Sequence, residues 1–235
     1  MAGIKHKPIY KATGIDPSGS IAHARSVGAE VIMPKTSFFK LIEKSGFPTR
    51  RARFCCKHLK EYKVCEVSVQ GIRRDESRAR AERYHEPQIC RVYGSKKRTV
   101  EVFLPILNWS DSDVKEFIQS EGVKCHPMYY DENGEFCVER RLGCMCCPLQ
   151  STKKLREDFK SHPRFVKAYI KHGLVWWNNN PDTMSHRTFG DSLYDLFFHN
   201  VFCNSYQDYL MKTTGLFGEM DCKAFLEDYF GVDLP

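Results

Sequence analysis

The chain has 235 residues, 42% of them hydrophobic and 28% charged, which is enough to bury the core of one domain with an appendage. No stretch approaches the roughly 18 consecutive apolar residues of a membrane-spanning helix, and the opening MAGIKHKPIYKATG lacks the apolar run of a secretory signal, so we expect a cytoplasmic protein with no membrane partner. The net charge of +7 suits a polyanionic ligand, although a solvated basic surface would account for it as well.

Predicted strands and helices alternate through the first 121 residues. Ser18 or Ser20 is expected to cap the first predicted helix. Ser110, which is followed by Asp111 and Asp113, is expected to cap the fourth predicted helix. That helix should turn its apolar residues inward, Phe117 among them. Strands are predicted over 7–12, 30–33 (buried), 64–72 and 100–104, and helices over 21–27, 36–45, 75–83 and from 111. This alternation is typical of an α/β domain with a largely parallel sheet.

The last third of the chain reads as helical. Two helices are expected over 151–177, broken near His162-Pro163, and further helices over 193–209 and 222–230. We therefore predict an α/β domain over residues 1–150, with the cysteine cluster at its end, and a helical C-terminal extension over 151–235.

Three of the eleven cysteines crowd into LGCMCCPLQ. The C-x-x-C turn formed by Cys144 and Cys147 can point two sulfurs at one ion, as in zinc and iron–sulfur sites. The vicinal pair Cys55-Cys56, and Cys90, are the candidates for the remaining ligands. Cytoplasmic thiols are mostly reduced, which favours metal chemistry over disulfides, but spacing alone does not separate four-thiolate zinc from an iron–sulfur cluster. The other six cysteines are interpreted as packing or surface thiols.

A basic segment, RRDESRARAER, contains the candidate anion ligands. The guanidinium groups of Arg73, Arg74 and Arg80 offer planar, bidentate hydrogen bonds to phosphate or sulfate, and Ser77 offers a hydroxyl. On a helix, residues 73, 77 and 80 would share one face. A solvated basic helix is the alternative interpretation.

Two further segments are candidates for contact with a ligand. Thr13, Gly14 and Asp16 follow the first predicted strand, where ligands approach a parallel α/β sheet, although an ordinary turn would have the same composition. Three arginines, Arg50, Arg51 and Arg53, precede the vicinal cysteines, where they would face a substrate or offset the charge of a thiolate-ligated cluster.

Four segments, in order, resemble the phosphoadenylyl-sulfate (PAPS) reductase family. ATGIDP is similar to its D-T-G stretch, GIRRDESRARA to G-x-R-R-x-x-S-x-x-R-A, LPILNWSDSDV to N-P-I-x-x-W-T-x-x-D-V, and RLGCMCCP to R-x-G-C-x-x-C-P. A Cys-Cys pair followed much later by C-x-x-C resembles the branch of that family with a 4Fe-4S cluster. The resemblance implies an adenine nucleotide alpha-hydrolase-like fold, a twisted, mostly parallel sheet flanked by helices, that binds an adenine nucleotide or sulfonucleotide.

Two motifs of that family have no match here. The phosphate loop S-G-G-x-D-S is missing, which predicts a truncated or split chain, or a partner chain that supplies the loop. The C-terminal E-C-G-x-H with its nucleophilic cysteine is replaced by MDCKAF around Cys222, so no catalytic residue is assigned.

The resemblance therefore implies a PAPS reductase-like oxidoreductase, with an electron donor protein, or an ATP-pyrophosphatase-type sulfur-transfer enzyme. The alternative is a non-catalytic, metal-stabilised module that binds nucleotide or nucleic acid within a larger assembly.

Overall fold

The computed structural model describes residues 5–62, 65–93, 98–190, 192–215 and 218–235. The helices are α1 (Ser20–Ser26), α2 (Phe38–Ser45), α3 (Phe54–Leu59), α4 (Arg78–Arg83), α5 (Asp111–Ser120), α6 (Thr152–Ser161), α7 (Pro163–Asn179), α8 (Met184–Phe189), α9 (Leu193–Phe202), α10 (Tyr206–Thr213) and α11 (Cys222–Phe230), with a 3-10 turn at Pro127–Tyr129. The strands are β1 (Ile9–Lys11), β2 (Glu30–Ile32), β3 (Val67–Val69), β4 (Gln88–Tyr93), β5 (Arg98–Phe103), β6 (Thr214–Gly215) and β7 (Gly218–Glu219). None of these helices is long and apolar enough to span a bilayer.

The described residues fall into two compact units, each made of several chain segments. The first, called here the sheet unit, takes its residues from Met1–Tyr10, Pro17–Ile32 and Lys60–Gly143. The second, the helical unit, comprises Lys11–Asp16, Met33–Leu59 and Cys144–Pro235. The α/β class with a helical C-terminal region is confirmed, while the expected domain boundary at residue 150 stays a prediction.

The sheet unit contains a three-stranded sheet of mixed direction, in the order β3-β5-β4. Strand β3 runs parallel to β5, with Val67 opposite Glu101. Strand β4, which the sequence analysis did not predict, runs antiparallel to β5, with Gln88 opposite Phe103. Strands β1 and β2 form a separate pair, and β2 is not buried as expected, since its residues are exposed or half-buried.

One face of the three-stranded sheet forms the core of its unit. Val100 and Val102 are fully buried, together with Leu104 and Leu107, because alternate residues of a strand point to the same face. Strand β3 is shorter than the predicted 64–72, and residue 64 lies outside the described residues.

Capping explains where two predicted helices begin. The expected cap at Ser110 is confirmed, because its hydroxyl accepts from the Asp113 backbone N–H while the Asp113 carboxylate accepts from that of Ser110. The expected cap at Ser18 or Ser20 is wrong, since α1 begins after Gly19, whose φ of 81° suits glycine and which makes no side-chain cap. Phe117 of α5 is also 45% exposed, because the helix packs only shallowly.

Among the described residues, aromatic and aliphatic side chains of α2, α3, α6, α7, α9, α10 and α11 fill the core of the helical unit. The most deeply buried are Phe38, Ile42, Phe159, Val166, Ile170, Phe197 and Leu226. The predicted break at His162-Pro163 is confirmed between α6 and α7. The predicted helix over 193–209 is instead two helices, because Ser205 caps α10 and the Asp208 carboxylate accepts from the Asn204 backbone N–H.

Helix α7 approaches its neighbours so closely at Gly173 that no side chain fits. A Cβ there would lie 2.6 Å from Phe47 Cζ and 3.1 Å from Leu193 Cδ2. We expect Gly173→Ala to destabilise the protein by about 2 kcal/mol, although alanine usually stabilises a helix relative to glycine. Urea unfolding measures this, with Val175→Ala on the exposed side of α7 as the control. A neutral or stabilising Gly173→Ala would contradict this packing.

Candidate functional site

Four of the five candidate thiols belong to the helical unit. Cys55 and Cys56 lie on α3, and Cys144 and Cys147 lie in the turn that precedes α6. The pKa of Cys55 is raised by its hydrogen bond with Cys56, by burial and by the charge of Cys56 and Cys147. Cys90 lies on β4 in the sheet unit and is exposed, so the structure groups it with a different set of residues.

Four cysteines of the helical unit act electrostatically on one buried phenol. Burial raises the pKa of Tyr169, and so do the charges of Cys146, Cys55, Cys147 and Cys144, in that order. Thiols from two distant segments are therefore near enough to the same hydroxyl to act on it electrostatically. This convergence could not be deduced from the sequence, because it depends on how α7 packs in the core.

The turn at residues 144–148 is held by its backbone. Met145 donates its N–H to the Ile15 carbonyl at 2.8 Å, and Cys144 Sγ lies 3.6 Å from Thr13 Oγ1. Cys146 has a φ of 52°, the left-handed conformation that non-glycine residues rarely adopt. That conformation turns its side chain into the core, where it is 1% exposed, rather than toward its two neighbouring cysteines.

Two buried side chains stabilise this conformation. The Cys146 N–H donates to Asp158 Oδ2 at 3.2 Å, and the Tyr169 hydroxyl donates to the Cys146 carbonyl at 3.3 Å. Lys154 in turn pairs with the Asp158 carboxylate at 2.9 Å. The sequence analysis overlooked Asp158 and Tyr169 because both look like ordinary residues of amphipathic helices.

The chemistry of these donors fits a thiolate-bound ion or cluster. Four soft sulfur donors suit zinc or iron–sulfur ligation, and a cation would favour the thiolate form in which cysteine binds a metal. Within the described part of the chain, no three His, Cys, Asp or Glu side chains are arranged closely enough to hold an ion. The cysteines therefore fit a metal by their donor type and location, and the distances between their sulfurs must shorten for them to ligate it.

Two arginines that precede the vicinal pair also contact this region. Arg50 donates to the carbonyls of Pro148 and Gln150, at 3.3 Å and 2.9 Å. Arg53 Nη2 lies 3.9 Å from Cys56 Sγ, within reach of a hydrogen bond to sulfur. Positive charge beside thiols favours the thiolate form, which is the form that binds metals.

The arginine segment of the sheet unit is organised around the buried guanidinium of Arg73, which pairs with the half-exposed Asp111. Arg73 is 7% exposed, and its Nη2 donates to Asp111 Oδ1 at 2.6 Å while Nη1 donates to the Trp109 carbonyl at 3.3 Å. The carboxylates of Asp75 and Glu76 lie 3.9 Å away. The guanidinium of Arg73 is thus occupied by groups of its own unit.

The other predicted anion ligands lie at the surface. Arg74 and Ser77 are exposed, and Ser77 caps α4 by accepting from the Arg80 N–H at 3.3 Å. Arg80 is paired with Glu76, and its pKa is lowered by burial and by the nearby Arg141. Since α4 begins only at Arg78, the expected common helix face of residues 73, 77 and 80 is wrong.

The segment at Thr13, Gly14 and Asp16 is an internally satisfied turn in the helical unit. The Asp16 carboxylate accepts from the N–H groups of Thr13 at 2.7 Å and Gly14 at 3.2 Å. Gly14 has a φ of 78°, and Thr13 is 1% exposed. Thr13 is thereby presented to Cys144 of the same unit.

The chain matches the model of the phosphoadenosine phosphosulfate reductase domain over residues 22–150, more than half of its length. It therefore belongs to that family, as the four sequence segments indicated, and the family is one of nucleotide- and sulfonucleotide-binding α/β domains.

Two relatives that the chain resembles are themselves uncharacterised. The chain is 32% identical over 149 residues to uncharacterised protein MJ0973 of Methanocaldococcus jannaschii, covering 60% of this chain and 33% of that protein. It is 30% identical over 136 residues to an uncharacterised 37.8 kDa protein of Escherichia phage 186, covering 52% of this chain and 38% of that protein. The chain thus spans about a third of the length of these curated relatives.

The buried position of Arg73 predicts a structural role for it. Arg73→Met leaves Asp111 without its closest partner and should destabilise the protein by about 2 kcal/mol, since the bonds lost are charge-assisted. Arg74→Met, at an exposed position, should change stability by less than about 0.5 kcal/mol. Chemical denaturation of both variants tests this, and equal effects would contradict it.

Proposed function

We propose that this chain binds an adenine nucleotide or sulfonucleotide and holds a 4Fe-4S cluster, in the service of sulfonucleotide reduction or nucleotide-dependent sulfur transfer. The proposed ligands are Cys55, Cys56, Cys144 and Cys147. The observation that carries the proposal is that Cys55, Cys144 and Cys147 lie near enough to Tyr169 to act on its hydroxyl, with Cys56 hydrogen-bonded to Cys55, within one compact unit of a PAPS reductase-family chain. Zinc is the alternative metal, and Cys90 the alternative ligand.

The nucleotide site is proposed on the surface of the arginine segment. Arg74 and Arg80 keep exposed guanidinium surface, and Arg141, which donates to the Glu76 carbonyl, adds a third positive charge beside Arg80. Planar guanidinium groups suit the phosphate and sulfate oxygens of such a ligand. Arg73 would hold the segment in place rather than contact the ligand.

A non-catalytic, nucleotide- or nucleic-acid-binding module is the second candidate function, and Cys222 favours it. This thiol is 2% exposed, and burial together with its hydrogen bond to Asp195 raises its pKa. A buried, protonated thiol is a poor nucleophile, so Cys222 does not replace the reactive cysteine of the reductases. If the chain takes part in catalysis, an electron donor or a partner chain with the phosphate loop would complete the reaction.

The metal proposal is tested on protein that is expressed in the cytoplasm of its host and then purified anaerobically. We expect stoichiometric iron and acid-labile sulfide with visible absorbance in the wild type, and their loss in Cys144→Ser and Cys147→Ser, because serine does not replace a thiolate ligand for iron. Cys203→Ser, at a buried thiol of the same unit, is the control and should keep the iron. Colourless protein with stoichiometric zinc would select the alternative metal, and metal-free protein would refute both.

The nucleotide proposal is tested by calorimetry with phosphoadenylyl sulfate, ATP and single-stranded DNA. A saturable nucleotide site, weakened about tenfold in Arg74→Ala by the loss of one charge-assisted hydrogen bond, is the expected result. Arg78→Ala, which removes an exposed arginine paired with Glu82, is the control. Binding of DNA alone would favour the non-catalytic module, and an unchanged affinity in Arg74→Ala would exclude that residue from the site.

A further inference from the structure

Arg50 joins two segments that lie 100 positions apart in the chain. Its Nε donates to the Pro148 carbonyl at 3.3 Å and its Nη2 to the Gln150 carbonyl at 2.9 Å. Both acceptors lie between Cys147 and the first residue of α6, a stretch outside any helix. A planar guanidinium can reach two carbonyls at once in a fixed geometry, which a lysine ammonium cannot do.

Gln150, which Arg50 holds through its carbonyl, is in turn hydrogen-bonded to the C-x-x-C turn. Its backbone N–H donates to the Cys147 carbonyl at 3.0 Å, and its side-chain Nε2 donates to the Cys144 carbonyl at 3.5 Å. Fixing Gln150 therefore fixes both cysteines of the C-x-x-C turn through their backbones.

The other end of the restraint lies just before the vicinal pair. Thr49 and Ala52 close a tight turn around Arg50, with the Thr49 N–H donating to the Ala52 carbonyl at 3.2 Å and the Ala52 N–H to Thr49 Oγ1 at 3.0 Å. Helix α3, with Cys55 near its start, follows directly. The Arg50 backbone thus lies in a closed turn that ends at Ala52, two positions before the first residue of α3.

We propose that Arg50 is a positioning residue that holds the C-x-x-C turn at a fixed distance from Cys55 and Cys56. Its side chain binds neither substrate nor metal in this role, which differs from both roles expected for it, contact with a substrate and compensation of the charge of a cluster. The proposal rests on the proposed function for the identity of the bound group, but the restraint itself is present in the chain without it.

The test compares wild type, Arg50→Lys, Arg50→Ala and Arg51→Ala. Arg51 is exposed, and among the described residues its side chain has no hydrogen-bond or ionic partner, so its variant controls for the lost charge. In anaerobically purified protein, iron or zinc should pass to a chelator about tenfold faster from both Arg50 variants than from wild type and Arg51→Ala. Arg50→Lys keeps the charge and guards against a variant that fails to fold.

A second measurement does not depend on bound metal. In metal-free protein, mass spectrometry follows the alkylation of each thiol by iodoacetamide. Cys144 and Cys147 should react faster in the Arg50 variants, while Cys203, buried in the same unit, and the melting temperature should stay unchanged. A general loss of structure would expose Cys203 as well and would overturn the proposal.

The outcomes separate the two proposals. Metal-free wild-type protein refutes the cluster, and the alkylation rates then decide the role of Arg50 alone. Wild-type metal retention in Arg50→Lys, with unchanged alkylation of Cys144 and Cys147, overturns the positioning role and leaves the cluster intact. If Arg51→Ala loses metal as fast as the Arg50 variants, the positioning role is also overturned, because the loss of one positive charge would then explain the faster release of metal.

Discussion

The candidate site of the helical unit depends on a single strained residue. Cys146 adopts a left-handed conformation, and both of its backbone polar groups are bound by buried side chains, Asp158 and Tyr169. Such a conformation persists only where the surrounding structure over-determines it. It allows one cysteine of a crowded cluster to enter the core while its neighbours, Cys144 and Cys147, remain at the edge. The core of α6 and α7 therefore dictates which sulfurs are available for chemistry.

The elements that sequence reasoning predicted well carry strong local signals. The break at His162-Pro163, the capping box at Ser110 and the family segments depend on proline geometry, side-chain caps or motif order, all of which are local. Strand β4 carries no such signal, because its apolar residues Ile89 and Val92 do not alternate. The choice of partner strand is a long-range property that the local pattern of one strand does not reveal.

The same distinction applies to the candidate site residues. The types of side chain could be predicted, since clustered thiols and guanidinium groups have few structural uses. Their roles could not, because Arg73 resembles an anion ligand in the sequence and becomes one only if it is exposed. Its pairing with Asp111 across 38 positions follows from tertiary packing. Thr13 is predicted as part of a ligand-binding turn, and its position beside Cys144 could not be read from the sequence.

The interleaved composition of the helical unit constrains how the molecule is made. The vicinal cysteines leave the ribosome well before the helices that build their surroundings, α6 to α11. Closing contacts between such remote segments costs chain entropy that only the finished core repays. The thiol region consequently takes shape only once α6 to α11 have been made, so the sulfurs of a growing chain must stay reduced until then, and any inorganic group has to be delivered after these helices have packed.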